Sequence, residues 1–193
     1  MPNWCENGFM AKGDTHELKR FIKLHMGYPA IYPPQIKGEK RAKPRKKYFC
    51  FNAFIKTPKN VIEMGYDAHE KLCREIVALA VEKGVNIFPI DGYNWNLLNW
   101  GVKWDIYRDE IDYKSITWED KNLIHFSFDT AWGPPVRWFE TIGKAFPKLE
   151  FRMNYWEPAM FFGGVLSAKN GEIEHRKLSD EECASVYEQY NAE

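Results

Sequence analysis

MFFGGVLSAKNGEIEHRK, residues 160–177, is the stretch on which the fold turns. Met160 to Ala168 and Ile173 to Lys177 read as strands. Asn170-Gly171 lies between them, and both residues tolerate the positive φ that a two-residue hairpin turn demands. A hairpin forces antiparallel pairing. Gly163-Gly164 inside the first strand predicts a bend or bulge. Working backwards, Leu149 to Tyr155 and Leu123 to Phe128 read as further strands. Between them Pro134-Pro135 opens a helix, since proline suits a first turn. Val136, Phe139, Ile142 and Phe146 give that helix an apolar face, and Pro147 ends it. Working forwards, Ser179 and Glu182 form a capping-box pair for a C-terminal helix.

The first half alternates in the same way. Trp4 to Ala11 reads as a strand closed by Lys12-Gly13. Asp14 is a good N-cap with Glu17 three residues on, and Leu18, Phe21, Ile22 and His25 recur at helical spacing. Gly27 to Lys47 holds four prolines and a basic run, too polar to bury much, and is expected to be a flexible loop. Tyr48 to Ile55 predicts a buried strand, Asp67 to Lys83 a helix closed by Gly84, and Val85 to Pro89 a short strand. Trp100 to Tyr107 predicts a strand entering an acidic turn at Arg108 to Asp112. Helices interleaved with strands, plus a late hairpin, give an α+β class: a mostly antiparallel sheet of ferredoxin-like type with helices on one face, a basic loop and a C-terminal helix. The expected organisation is one domain over 1–193, with 27–47 as the loop and 179–193 as a helical appendage.

Composition narrows the function classes. Lys+Arg and Asp+Glu balance at 27 each, which argues against a surface that tracks phosphate everywhere but leaves room for a local basic patch. No apolar run approaches the ~18 residues of a membrane span. The opening residues lack a basic region followed by an apolar one, so no signal peptide and a cytoplasmic location are expected. Cys5, Cys50, Cys73 and Cys183 are scattered, with no Cys-x-x-Cys pair, and are expected to be free thiols.

Tryptophan carries most of the remaining information. Most of these residues sit in polar company: Asn3-Trp4-Cys5-Glu6-Asn7, Asn99-Trp100-Gly101 with Lys103-Trp104-Asp105, Asp129-Thr130-Ala131-Trp132, and Tyr155-Trp156-Glu157-Pro158. An indole N–H wants an acceptor, and the neighbouring amides and acids are expected to close one hydrogen-bonded cluster. On a strand Trp100 and Trp104 share a face, opposite Lys103. That face is either an aromatic platform for a base or simply core. The ligand-binding candidates are Trp100, Lys103, Trp104, Trp132 and Glu157. Lys40, Arg41, Lys43, Arg45, Lys46 and Lys47 are the candidate polyanion contacts; their alternative is a solvated loop.

Together these four segments resemble the YubB ferredoxin-like domain family of phages and plasmids. The resemblance rests on Met1-Pro2-Asn3-Trp4-Cys5-Glu6-Asn7, Asn99-Trp100-Gly101 with Lys103-Trp104-Asp105, Thr130-Ala131-Trp132 with Pro134-Pro135, and Tyr155, Glu157, Pro158 and Gly163; Ala159 stands where glycine is expected. It implies a ferredoxin-like fold and a mobile-element origin, and no activity.

The expectation is therefore a non-enzymatic binding module that engages a nucleotide, a nucleic acid or a host protein, with interference in host defence implied by the mobile-element resemblance. Oligomeric state is left open. No catalytic set and no cofactor are called for. The enzyme alternative places a metal on Asp105, Asp129 and Glu157, or uses Pro2 as an N-terminal amine; a Cys5 pair with His125 or His175 is a further variant. The third alternative is a purely structural interaction domain.

Overall fold

The computed structural model describes residues 3–32, 46–67, 82, 91–106 and 111–190. Among them lie β1 (Trp4–Lys12), α1 (Thr15–His25), β2 (Met26–Gly27), β3 (Tyr48–Phe49), α2 (Phe51–Phe54), α3 (Lys59–Met64), α4 (Gly92–Asn99), β4 (Thr117–Asp120), β5 (Leu123–Ala131), α5 (Val136–Ala145), β6 (Glu150–Glu157), β7 (Phe162–Lys169), β8 (Glu172–Lys177) and α6 (Asp180–Tyr190). The main sheet has the order β4-β5-β1-β6-β7-β8, and β2 and β3 form a small second sheet.

The closing hairpin forms as read. Asn170 and Gly171 take φ of 53° and 82°, and β7 pairs with β8 from Gly164↔Lys177 to Lys169↔Glu172. β1 lies between β5 and β6, antiparallel to both. β5 and β6 are therefore parallel to each other, joined by α5: a split βαβ unit.

Strand alternation gives the sheet two faces. The core face carries Phe9, Phe126, Phe151, Met153 and Leu166, all buried. Against it lie Leu18, Phe21, Ile22 and His25 of α1 and Trp138, Phe139 and Ile142 of α5. Phe9 is the hub, with its ring 5.1–6.4 Å from those of Phe21, Phe126, Trp138, Phe139 and Phe151. The caps are those the sequence announces. Asp14 accepts from the His16 and Glu17 amides, and Ser179 and Glu182 cap one another's backbone N–H.

His25 is a core residue. Its Nδ1 lies 2.8 Å from the Phe21 carbonyl, and the Trp138 indole N–H donates to its Nε2 over 3.2 Å. An indole nitrogen only donates, so Nε2 is the acceptor and Nδ1 carries the proton. The neutral ring stacks on Phe49, 4.8 Å away and 7° from parallel. Burial pushes its pKa down from 6.5 to about 3.

Four expectations need correction. Tyr48–Ile55 is not one strand: only Tyr48–Phe49 pairs, and Phe51–Phe54 is a helical turn. Of the loop expected at 27–47, the described residues 27–32 bury more than its composition implies, since Gly27 joins β2 and both Pro29 and Tyr32 are buried; residues 33–45 lie outside the described residues. Gly163 and Gly164 lie in an unbroken β6–β7 ladder with no bulge. Of the strand expected at 100–107, the described residues 100–106 form none, for reasons given below. The short, polar edge strand β4 was not anticipated. Of the helix expected at 67–83 only Asp67 and Glu82 are described, and the strand expected at 85–89 lies outside the described residues.

Candidate functional site

One end of the sheet collects the tryptophan segments. β1 begins there at Trp4, which pairs with Ala131, the last residue of β5. β6 finishes there at Glu157 and β7 starts there at Phe162. The Trp132 amide donates to the Asn3 carbonyl over 3.0 Å, continuing the β1–β5 register past the strand ends. Gly101 reaches the same end. Its φ is +85°, and a Cβ on it would stand 3.0 Å from the backbone nitrogens of Val136 and Arg137, so glycine alone lets the chain pass the start of α5.

That passage explains why residues 100–106 form no strand: their backbone groups are taken elsewhere. The Trp100 carbonyl accepts from the Trp138 amide. The Lys103 carbonyl accepts from Tyr66 Oη at 3.0 Å and Asn96 Nδ2 at 2.8 Å. Asn96 is itself buried and accepts from Tyr32 Oη at 3.2 Å. Two residues on, the Asp105 carboxylate accepts the amides of Phe51, Asn52 and Ile106 at 2.7, 3.1 and 2.9 Å. Burial pushes its pKa up to about 6 against the pull of those three bonds. The 103–105 segment is thus fixed to its surroundings at both ends.

On this pedestal stands a Lys–Trp cluster. Lys103 Nζ lies 4.2 Å from the Trp104 ring centroid and 5.2 Å from that of Trp132, within cation–π range of both. The Trp4 and Trp104 centroids are 6.2 Å apart. Among the described residues no carboxylate forms an ion pair with Lys103, and burial lowers its amine from the ordinary lysine value. Trp132 is 46% exposed with φ of 73°.

The other candidates are not part of this surface. Trp100 is 1% exposed and its indole N–H donates to the Ile55 carbonyl; it is core, because the bend at Gly101 removes the shared face with Trp104. Glu157 is buried, and its carboxylate takes up the Ala159 and Met160 amides of the turn after β6, so it shapes that turn. Lys46 and Lys47 are exposed; Lys40, Arg41, Lys43 and Arg45 lie outside the described residues, as do Pro2 and Cys73.

The metal and Cys–His alternatives find no such grouping among the described residues. Asp105 and Glu157 are engaged by amides, and Asp129 faces outward opposite Glu6. No group of three His, Cys, Asp or Glu among the described residues could hold a metal ion. Cys5 points to the core face, with its thiol pushed up to about 12 chiefly by burial. His125 pairs with Met10 on the opposite face, and His175 Nε2 lies 2.8 Å from Tyr155 Oη.

The single indole–amide cluster is also corrected. The buried polar centre is Asn7, whose Nδ2 donates toward the carbonyls of Cys5 and Phe128 and toward Thr130 Oγ1. Thr130 in turn donates to the Gly133 carbonyl at 2.7 Å. The indoles of Trp100 and Trp138 find other partners.

The second half of the chain has a recognisable relative. Residues 103–193 match the family model described as the ferredoxin-like domain in Api92-like protein. The match starts at Lys103 and spans β4 to α6, leaving the central strand β1 outside it. It establishes the ferredoxin-like, α+β class. A crystal structure of a protein api92 from Yersinia pseudotuberculosis is similar at a TM-score of 0.48 and 10% identity, over 93% of this chain and 99% of that one. No curated protein matches the chain. The resemblance to the YubB family is corrected accordingly: the match is to the Api92-like domain, and nothing links the chain to YubB. No helix among the described residues is long and apolar enough to cross a membrane.

The sequence reading missed one feature at this end. Met160, Phe161 and Tyr187 are exposed, and Phe161 takes φ of 56°. Pro158 was the available signal, because it marks a turn where a strand was read from Met160 onward.

Proposed function

We propose that the chain is a binding module that stacks the base of a nucleotide or nucleic acid on Trp132 and Trp104 and meets its phosphate with Lys103. Trp132 carries the reading. A side chain in the left-handed region costs about 1–2 kcal/mol, and this one is nearly half exposed. Burial does not offset that strain, whereas a ring held out for a ligand gives it a purpose. Two further observations support the reading. Lys103 is a cation among rings with no acid partner among the described residues, suited to an incoming anion, and its backbone is anchored by Tyr66 and Asn96. Stacking on aromatic rings with a nearby cation is the general chemistry of sequence-tolerant base binding.

The structural-domain alternative fits Trp100 and Trp138 and leaves Trp132 unexplained. The phage or plasmid origin and the host-defence role came with the YubB resemblance, and the binding reading needs neither. A host-protein partner becomes the working alternative if nucleotides fail.

The test is a tryptophan-fluorescence titration with nucleoside monophosphates and short oligonucleotides, using wild type, Trp132→Gly and Lys103→Met. Wild type should bind with quenching. W132G should lose roughly tenfold or more in affinity while melting no lower than wild type, because glycine takes the left-handed conformation freely. K103M should bind nucleoside and nucleotide alike, having lost the phosphate preference. Equal binding by wild type and W132G, or no binding by wild type, defeats the proposal.

A further inference from the structure

The same end of the sheet carries a second exposed aromatic turn. Phe161 ends the turn between β6 and β7, is 40% exposed and is left-handed at φ 56°. Its ring meets those of Trp156 at 5.6 Å and Tyr187 at 5.5 Å, both edge-on, and Met160 next to it is 58% exposed. As with Trp132, the chain strains its backbone to hold a large ring outward. The described part of the fold contains three non-glycine residues at positive φ. Asn170 is the hairpin turn; the other two are these aromatic tips.

Both tips lie at the same end of the sheet, and the residues that follow them, Gly133 and Phe162, approach one another. The Cα of Gly133, directly after Trp132, points at the Phe162 ring, and a Cβ there would stand 4.0 Å from it. Trp156, packed edge-on against Phe161, has a buried Nε1 with no hydrogen-bond acceptor among the described residues, an uncompensated donor.

Resting on the base-binding reading, we infer that the ligand is a single strand of at least two nucleotides, with one base on Trp132 and a following base on Phe161. Lys103 meets the phosphate at the first position. The rings explain the strandedness: stacking requires an accessible base face, and a duplex presents only edges. Two separated rings, rather than one closed pocket, suit a chain rather than a mononucleotide.

The experiment compares thymidine monophosphate with di-, tri- and tetrathymidylate and a blunt duplex, on wild type, W132G and Phe161→Gly. Wild-type affinity should rise with length up to the trinucleotide, and the duplex should bind much more weakly. F161G should bind the mononucleotide as wild type does and the trinucleotide roughly five- to tenfold more weakly. It should keep its melting temperature within a few degrees, because glycine relieves the left-handed strain. Wild-type affinity for the trinucleotide in F161G, or equal affinity of wild type for mono- and trinucleotide, overturns the inference while leaving the Trp132 site standing. Failure of wild type to bind even the mononucleotide removes both.

Discussion

Asp105 shows how a residue that looks like a metal ligand in the sequence becomes a structural anchor. Its two oxygens collect three backbone N–H groups, from the start of α2 and from its own successor. α2 has no capping side chain of its own, so Asp105 supplies that role from fifty-four residues away in sequence. Asp105→Ala leaves those amides without an acceptor and should cost about 2–4 kcal/mol in urea unfolding. An unchanged midpoint would show that the amides find water instead. The residue scale is also where the sequence was most informative about the site. Lys103, Trp104 and Trp132 stood out because large aromatics in polar surroundings need a reason. Trp100 stood out for the same reason and was core, since the face a side chain presents depends on the local backbone, and Gly101 turns that backbone. Nothing in the spacing signals that a distant α5 will occupy the space a Cβ would need.

At the scale of elements, legibility followed the source of the hydrogen bonds. Elements that satisfy their own backbone were readable: α1 from Asp14, α6 from Ser179 and Glu182, and the β7–β8 hairpin from Asn170-Gly171. Segments whose polar groups are satisfied by distant partners were misread. The 48–55 and 100–107 segments have strand-like composition, but Asp105, Tyr66 and Asn96 take their amides and carbonyls. β7 adds a subtler case. Its Gly163-Gly164 pair reads as a bulge, yet the ladder is regular and the missing side chains make room for aromatic ones. A Cβ on Gly164 would stand 2.3 Å from Tyr155 Oη and 2.6 Å from the Arg176 carbonyl, and one on Gly163 would stand 2.9 Å from both Trp156 Cε3 and Leu178 Cδ1. Gly164→Ala must therefore displace Tyr155 and part the β7–β8 ladder. It should destabilise by about 2–3 kcal/mol in thermal unfolding, although alanine is the smallest change available. A wild-type melting curve would mean that the sheet end is looser than its packing.

At the scale of the whole molecule, two ionisable groups, one buried and one half-buried, set opposing pH dependences. His25 falls from 6.5 to about 3 on folding. Between those values the unfolded chain holds a proton that the native state refuses, so stability drops as pH falls through that window. Asp105 rises from 3.8 to about 6. Between those values the native state holds a proton that the unfolded chain has released, so stability drops as pH rises. Each slope is about 1.4 kcal/mol per pH unit for one proton. The windows overlap between roughly pH 4 and pH 6, and there the two contributions cancel. The pair should therefore add almost nothing to the pH dependence of stability across that range. His25→Gln keeps an acceptor for Trp138 and a donor for Phe21 while removing the titration. Relative to wild type, its stability should fall as pH rises from 4 to 6, by about 2.5 kcal/mol over the interval. Asp105→Asn should give the opposite tilt, gaining on wild type as pH rises. Urea unfolding at closely spaced pH values reads both differences directly, because contributions from every other group subtract out. Parallel stability–pH curves for H25Q and wild type would mean that His25 keeps its proton equilibrium on folding, and that the aromatic box around it admits water.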